Sequence, residues 1–122
     1  MVVMNSLKNN MAAALAQETY VVPAWMAVGT SPDIISSGDI EIGGEVGDRL
    51  ELSSPDRTNN EVVYNALRLG GDVVNTNGGD TLRQLGTLTQ ETGGVLMTNI
   101  NLPNLIQTTN FDIDATIKIR FE

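Results

Sequence analysis

The sequence predicts a mainly β protein: an antiparallel β-sandwich of jelly-roll-like type with one short N-terminal helix. Residues 110–122 alternate between apolar and polar side chains without a break, as in a strand with one buried face. Upstream, runs rich in β-branched and aromatic residues are separated by turn clusters of Gly, Pro, Asn and Asp. Helical spacing occurs in one segment near the N-terminus. Several strands with a single helix favour a sandwich or barrel.

The N-terminal segment predicts a short helix. Ser6 has the side chain of an N-cap, and the helix should end near Gln17, because β-forming residues and Pro23 follow. Its narrow apolar stripe consists of Leu7, Met11, Ala14 and Leu15. This stripe needs a surface to cover, in this domain or in a neighbouring subunit. We divide the chain into an N-terminal arm with the short helix, residues 1–18, and a single β-sandwich domain, residues 19–122.

The remaining strands follow from residue 20 onward. Residues 20–28 are apolar almost throughout, with Trp25 at the centre, which predicts a strand buried on both faces. Residues 29–44 are predicted to be loop-like, with a short alternating piece at 40–42, and residues 47–52 alternate again. Further strands are predicted at residues 61–69, 81–89 and 95–102. A hairpin loop at residues 92–94 joins the last two, whereas residues 55–60 form a turn cluster.

The last segment predicts an unusually long strand. Its thirteen residues would span about 44 Å at about 3.4 Å per residue, beyond the usual strand length. Such a strand indicates an elongated sandwich or an end that projects into a partner.

The composition argues against catalysis. The chain contains no Cys, which excludes disulfides, thiolate metal sites and a cysteine nucleophile. It contains no His, which removes the commonest general base and transition-metal ligand. We therefore predict no enzymatic activity, no cofactor and no required metal.

The charge and hydropathy of the chain limit the kinds of partner that we expect. A net charge of −8 repels nucleic acid, and the basic residues form no cluster. No stretch approaches the apolar length of a membrane span or the core of a signal peptide. We expect neither nucleic acid nor a membrane as a partner.

Four groups of residues are candidate sites. Asp112 and Asp114 form a D-x-D pair that could bind a hard cation, but they occupy the polar phase of the last strand and are expected to be solvated. The glycine clusters at residues 70–72 and 77–80 lack the Lys-Ser/Thr or G-x-G-x-x-G context of phosphate loops and predict turns. The aromatic residues Trp25, Tyr20 and Tyr64 lie in apolar segments and predict packing. Glu45 is expected to form a surface ion pair with Arg49 or Arg83.

The order of these segments resembles a loosely defined group of small structural proteins of tailed phages, described as tail- or fibre-associated. The similar stretches are residues 25–30 (WMAVGT), 44–49 (GEVGDR), 60–64 (NEVVY), 82–88 (LRQLGTL), 93–96 (GGVL), Pro103 and 112–121. The stretch at 82–88 keeps the Arg83 and Gly86 of the group's pattern and departs from its glutamate, alanine and phenylalanine.

The resemblance implies a virion protein that acts as a homo-oligomer and contacts other virion proteins. Tail, collar, fibre base, capsid spike and decoration protein are all compatible positions. A trimer or pentamer is expected by analogy with viral spikes. The expected oligomer interface contains Leu7, Met11, Ala14, Leu15 and Trp25. Two alternatives remain: a carbohydrate- or receptor-binding β-sandwich, and a hydrolase that uses carboxylates alone.

Overall fold

A computed structural model describes residues 1–121 of the chain. These residues form eight strands, one α-helix and a 3₁₀ turn at Gly70–Asp72. In chain order the elements are β1 (Val2–Val3), α1 (Asn5–Leu15), β2 (Trp25–Gly29), β3 (Leu50–Glu51), β4 (Asp56–Thr58), β5 (Glu61–Arg68), β6 (Asp80–Leu88), β7 (Leu96–Gln107) and β8 (Ile113–Arg120). No helix within residues 1–121 has the length and apolar content needed to cross a membrane.

The strands form two antiparallel sheets. Sheet A has the order β1-β7-β6-β2-β3, and sheet B has the order β4-β5-β8. Every paired strand runs antiparallel to its neighbour. The predicted fold class, mainly β with antiparallel sheets and one short helix, is confirmed.

The main core lies between the two sheets. Sheet A contributes Met26 and Met97, α1 contributes Leu7, and the chain after β3 contributes Leu52. Sheet B contributes Tyr64, Ala66, Ala115, Ile117 and Ile119. The period-two alternation of β5 and β8 places these side chains on one face of sheet B, where burial removes their apolar surface from water.

A second core covers the opposite face of sheet A. Ile35 and Ile42, both from the long connection between β2 and β3, pack there with Met4, Ala27, Leu88 and Leu96. Gly86 makes the close approach possible, because a Cβ at this position would overlap Ile42 and the carbonyl of Thr98. Sheet A is therefore buried on both faces, which explains the continuous apolar run of β2.

The N-terminal segment is built into the sandwich. β1 pairs with β7, and the amide of Met4 donates a hydrogen bond of 2.9 Å to the carbonyl of Met97. Met4 is fully buried and Leu7 is 5% exposed. The predicted arm, residues 1–18, therefore contributes a residue to each of the two cores.

The predicted N-cap and the predicted end of the helix each differ from the structure by two residues. α1 begins at Asn5 with Met4 in the N-cap position and no side-chain cap. Ser6 lies in the first turn instead, and its hydroxyl donates to the carbonyl of Leu96 in the neighbouring strand. The helix ends at Leu15, and Gln17 adopts a left-handed φ of 60°.

Several predicted strands have the wrong length. In residues 20–28, the strand begins only at Trp25, because the segment before it runs along α1, where the amide of Val21 donates to Asn10 Oδ1 at 2.8 Å. Residues 30–44 contain no strand, in agreement with the predicted loop, and residues 47–52 contain only β3. β7 extends beyond residue 102 to Gln107, and β4 lies inside the predicted turn cluster.

The long final strand is also corrected. β8 is eight residues long, Ile113–Arg120, so the predicted span of about 44 Å is wrong. Its alternation is confirmed, with three buried side chains separated by exposed polar ones: Ala115, Ile117 and Ile119. Residues 110–112 precede the strand as turn and irregular chain. Glu122 lies outside the described residues.

Candidate functional site

A buried arginine lies at the end of β5, where the two sheets meet the loop before β6. Arg68 is 1% exposed, and its Nη2 lies 2.8 Å from Asp80 Oδ2 in an ion pair. The same nitrogen donates to the carbonyl of Asp72 at 3.2 Å, and Nη1 donates to Gln107 Oε1. Arg68 Nε is the one buried side-chain polar atom of the described residues that has no hydrogen-bond partner.

The partners of Arg68 are themselves held by backbone groups. Asp80 accepts hydrogen bonds from the amides of Val74 (3.0 Å) and Asn75 (2.9 Å). Gln107 Nε2 donates to the carbonyls of Arg68 (3.0 Å) and Phe111 (3.2 Å). The network therefore ties β5 to the start of β6, the end of β7 and the turn before β8.

The protonation of Asp80 reflects two opposing effects. Burial by itself raises the pKa of this carboxyl group. The hydrogen bond from Arg68 and those from the amides of Asn75 and Val74 outweigh burial and hold the pKa below its ordinary value of 3.8. Asp80 is therefore ionised, and its carboxylate accepts hydrogen bonds that hold the surrounding chain in place. An ionised carboxylate has no proton to donate, so Asp80 is a poor general acid.

Next to Arg68 lies a cavity of about 370 Å³ between the two sheets. Its walls are mostly apolar side chains of both sheets: Met26, Val28, Leu82, Leu85, Ile113, Ala115 and Ile117. Met1, which precedes β1, and Ile100 and Leu102 of β7 also line it. The charged residues of its lining are Arg68 and Lys118. This composition suits the burial of apolar groups and offers no pair of acids for hydrolysis.

An apolar surface is exposed at the C-terminal end of α1. We define the helix-end patch as Met11, Ala14, Leu15, Tyr20, Val21 and Val22. Leu15 is 88% exposed, and Tyr20 and Val22 are each more than half exposed. Met11, Ala14 and the segment 20–22 line one shallow depression of about 100 Å³.

The five predicted interface residues occupy three different environments. Leu7 is buried in the main core, and Met11 packs half-buried against it. Ala14 is half-buried and Leu15 is exposed, both in the helix-end patch. Trp25 lies half-buried in β2, away from the stripe of the helix in sequence. The start of the stripe is therefore used within the subunit, and its end is left on the surface.

The other candidate residues from the sequence have structural roles. Asp112 Oδ1 accepts a hydrogen bond of 2.8 Å from the amide of Gly70. Residues 70–72 form the 3₁₀ turn and 76–78 a further turn, as predicted. Within residues 1–121, no group of three or more Asp or Glu side chains could hold a metal ion.

The predicted pair of Glu45 and Arg49 is confirmed. Arg49 Nε lies 2.9 Å from Glu45 Oε2, and Nη2 lies 3.0 Å from Oε1. Arg49 Nη1 also donates to the carbonyls of Gln90 (2.9 Å) and Gly93 (2.5 Å) in the β6–β7 loop. Gly93 and Gly94 both have positive φ there, as the predicted hairpin requires. The pair therefore clamps the hairpin.

Sequence reasoning missed the Arg68 network. One signal was present: in β5, Arg68 has the same parity as the buried Tyr64 and Ala66, so its side chain had to point inward. An inward arginine requires a buried acceptor. Its partners Asp80 and Gln107 lie 12 and 39 residues away, and the sequence carried no signal to identify them.

Comparison of the chain with protein-family models, with curated proteins and with solved structures gives no match.

Proposed function

We propose that the chain is a non-catalytic structural protein of a tailed-virus particle, acting through contacts with copies of itself and with other particle proteins. The observation that carries this proposal is the helix-end patch. Exposed apolar side chains near the end of α1, such as Leu15, Tyr20 and Val22, are costly to keep in water, and clusters of them mark interaction sites. A partner that covers the patch removes this cost.

The character of the buried polar groups supports a structural role. The one strongly buried ion pair, among the residues that the structure describes, is that of Arg68 and Asp80, and its side chains hydrogen bond to the backbone of residues 72, 74 and 75. A catalytic acid or base must reach a substrate, whereas these groups are turned to the protein. The absence of His and Cys points the same way.

The assignment to a virus particle rests on the order of sequence segments that resembles the tailed-phage group. Localisation in the virion, contacts with other virion proteins and a trimeric or pentameric ring follow from that resemblance and from analogy with viral spikes. They are part of this proposal, since a protein at a tail, collar or capsid position lies between neighbouring proteins.

Mass spectrometry of purified particles tests the localisation. We expect peptides of this chain at a fixed copy number per particle, retained after washing in high salt. A chain that is abundant in the infected-cell lysate but absent from purified particles would contradict the proposal.

Light scattering tests the helix-end patch. We expect the wild-type chain to associate at micromolar concentration and the double variant Leu15→Ser/Val22→Ser to associate more weakly. The matched control is Val74→Ser, because Val74 is 60% exposed and lies outside the patch. Equal association of all three chains would show that the patch is not the contact.

A further inference from the structure

β8 is the outer strand of sheet B, and its outer edge is unpaired within residues 1–121. The amide of Phe121 donates to the carbonyl of Asn60 in line with β5. In an antiparallel pair the bonding direction alternates along the strand. Odd-numbered residues of β8 therefore bond to β5, and even-numbered residues from Asp114 to Arg120 direct their amides and carbonyls outward.

The opposite edge of β5 agrees with this assignment. Asn65 uses its carbonyl and its amide for bonds to Ser53, on the side away from β8. Odd-numbered residues of β5 therefore point away from β8, and even-numbered ones point towards it. Since Ala66 is paired with Ala115, the odd-numbered residues of β8 are the ones that face β5.

The exposed side chains along this free edge change sign from one end to the other. Asp112 precedes the strand, and Asp114, Thr116, Lys118 and Arg120 follow at alternate positions on the solvent face. Acids therefore lie before Thr116 and bases after it, at matched distances. A strand with this charge order is complementary to an antiparallel copy of itself.

We infer that the chain pairs with a second copy of itself through β8, antiparallel and with the two-fold axis at Thr116. In this register Asp114 faces Lys118 of the second copy, and Asp112 faces its Arg120. By symmetry each contact occurs twice, which gives two Asp114–Lys118 ion pairs, flanked on each side by Asp112 and Arg120, whose side chains within one copy also bond to Gly70 and Glu61. The residues that face one another are even-numbered, so their outward amides and carbonyls also form the hydrogen bonds of the ladder.

Neighbouring registers are poorer. A two-fold axis at Ala115 places Asp112 opposite Lys118 but leaves Arg120 opposite Asn110. An axis at Ile117 places Asp114 opposite Arg120 but leaves Lys118 opposite Thr116. If one strand shifts by one residue, even-numbered residues of one copy face odd-numbered residues of the other. Their hydrogen-bonding groups then no longer align. The Thr116 register is the one that pairs both acids with both bases.

The free edge also borders the cavity between the sheets. Thr116 and Lys118 of β8 line this cavity together with Met1 and Ile100. A strand added to β8 therefore lies beside this cavity and joins two three-stranded sheets into one of six strands. This contact is a second surface for the self-association in the proposed function, beside the helix-end patch, and rests on that function. It is two-fold, so it is separate from the contacts of a trimeric or pentameric ring.

Charge reversal with rescue tests the contact. Asp114→Lys and Lys118→Asp each place like charges opposite one another twice, and each should raise the dimer dissociation constant by about tenfold or more. The double variant D114K/K118D restores opposite charges and should restore the dimer. Lys8→Asp is the matched control for Lys118→Asp, because Lys8 is exposed on α1 and its reversal lowers the net charge by the same amount. Sedimentation velocity gives the association, and circular dichroism confirms that each variant is folded.

Amide hydrogen exchange supplies a readout of the register. We expect slow exchange at Asp114, Thr116 and Lys118 above the dissociation constant and faster exchange on dilution, while the odd-numbered amides of β8 stay protected throughout. A wild-type monomer at about 100 μM overturns the contact even if the chain is found in particles, and so does association that both single reversals leave unchanged. Failure of the double variant to recover also overturns it, whereas absence from particles overturns the proposed function alone.

Discussion

The two ends of β5 carry arginine–carboxylate pairs of almost equal length in opposite surroundings. At one end, Arg68 Nη2 lies 2.8 Å from Asp80, and the two side chains are 1% and 3% exposed. At the other end, Arg120 Nη2 lies 2.9 Å from Glu61, and the side chains are 64% and 23% exposed. The distance between the charged atoms therefore says little about what each pair contributes.

Burial and neighbours separate the two pairs. If either Arg120 or Glu61 is removed, water solvates the remaining charge. Their ion pair therefore adds little to the free energy of unfolding beyond what solvation provides. Asp80 is shielded from water. Removal of either partner of the buried pair therefore leaves the other charge without compensation. The comparison yields four predictions, ordered from the largest expected effect.

Arg68→Met should have the largest effect. The change keeps an apolar side chain of similar length but leaves Asp80 buried without its counter-charge, so we expect a loss of about 3–5 kcal/mol in the free energy of unfolding. Urea denaturation followed by tryptophan fluorescence measures it. Arg120→Met is the matched control, measured below the concentration at which the chain associates. Equal losses in the two variants would show that burial does not distinguish the pairs.

Asp80→Asn should cost less, about 2–3 kcal/mol, because the amide oxygen can still accept a hydrogen bond while the ion pair is lost. The pKa of Asp80 is lowered in the folded state, so its stabilising contribution is present above the ordinary value of 3.8 and is lost as the pH falls through the lower folded value.

Unfolding measured between pH 6 and pH 2 provides the check. The wild-type chain should lose stability on the acid side more steeply than Asp80→Asn does, so the two curves should converge at low pH. Parallel curves would mean that other carboxyl groups control the acid sensitivity.

Arg49→Met should have an intermediate effect. Arg49 is 11% exposed at its side chain and holds the β6–β7 loop through two carbonyls as well as Glu45. We expect a loss of about 1 kcal/mol in stability and faster amide exchange in the loop around Gly93, with little change in sheet B. Uniformly faster exchange across both sheets would argue against a local clamp.

Glu61→Gln should have the smallest effect, with no measurable change in the midpoint of urea unfolding at pH 7. The hydrogen bond from Arg120 lowers the pKa of Glu61, and Lys118 adds to the shift. An NMR titration of wild type and Arg120→Met should therefore show the pKa of Glu61 moving up towards its ordinary value of 4.5 in the variant. An unchanged pKa would show that the pair does not persist in solution.

Much of the fold could be predicted, because strand alternation is a local property. The buried phase of β8, the strands at β5 and β6, and the Gly93–Gly94 hairpin all follow from side-chain pattern and turn chemistry. The strand ends were less predictable. Tyr20–Val22 have strand-forming side chains, yet they run along α1, because Asn10 and the helix surface compete with a sheet for the same backbone.

The sequence by itself determined the mainly β class, the helix near the N-terminus, the lack of His and Cys chemistry, and the charge order along the last strand. Each of these is encoded by residues that are close together in the sequence or by the composition itself. Only the tertiary structure decided that Met4 and Leu7 belong to the cores, that Ile35 and Ile42 cover the second face of sheet A, and that Arg68 meets Asp80 and Gln107. These contacts join residues far apart in the chain, and their partners are fixed by how the sheets pack and not by local preference.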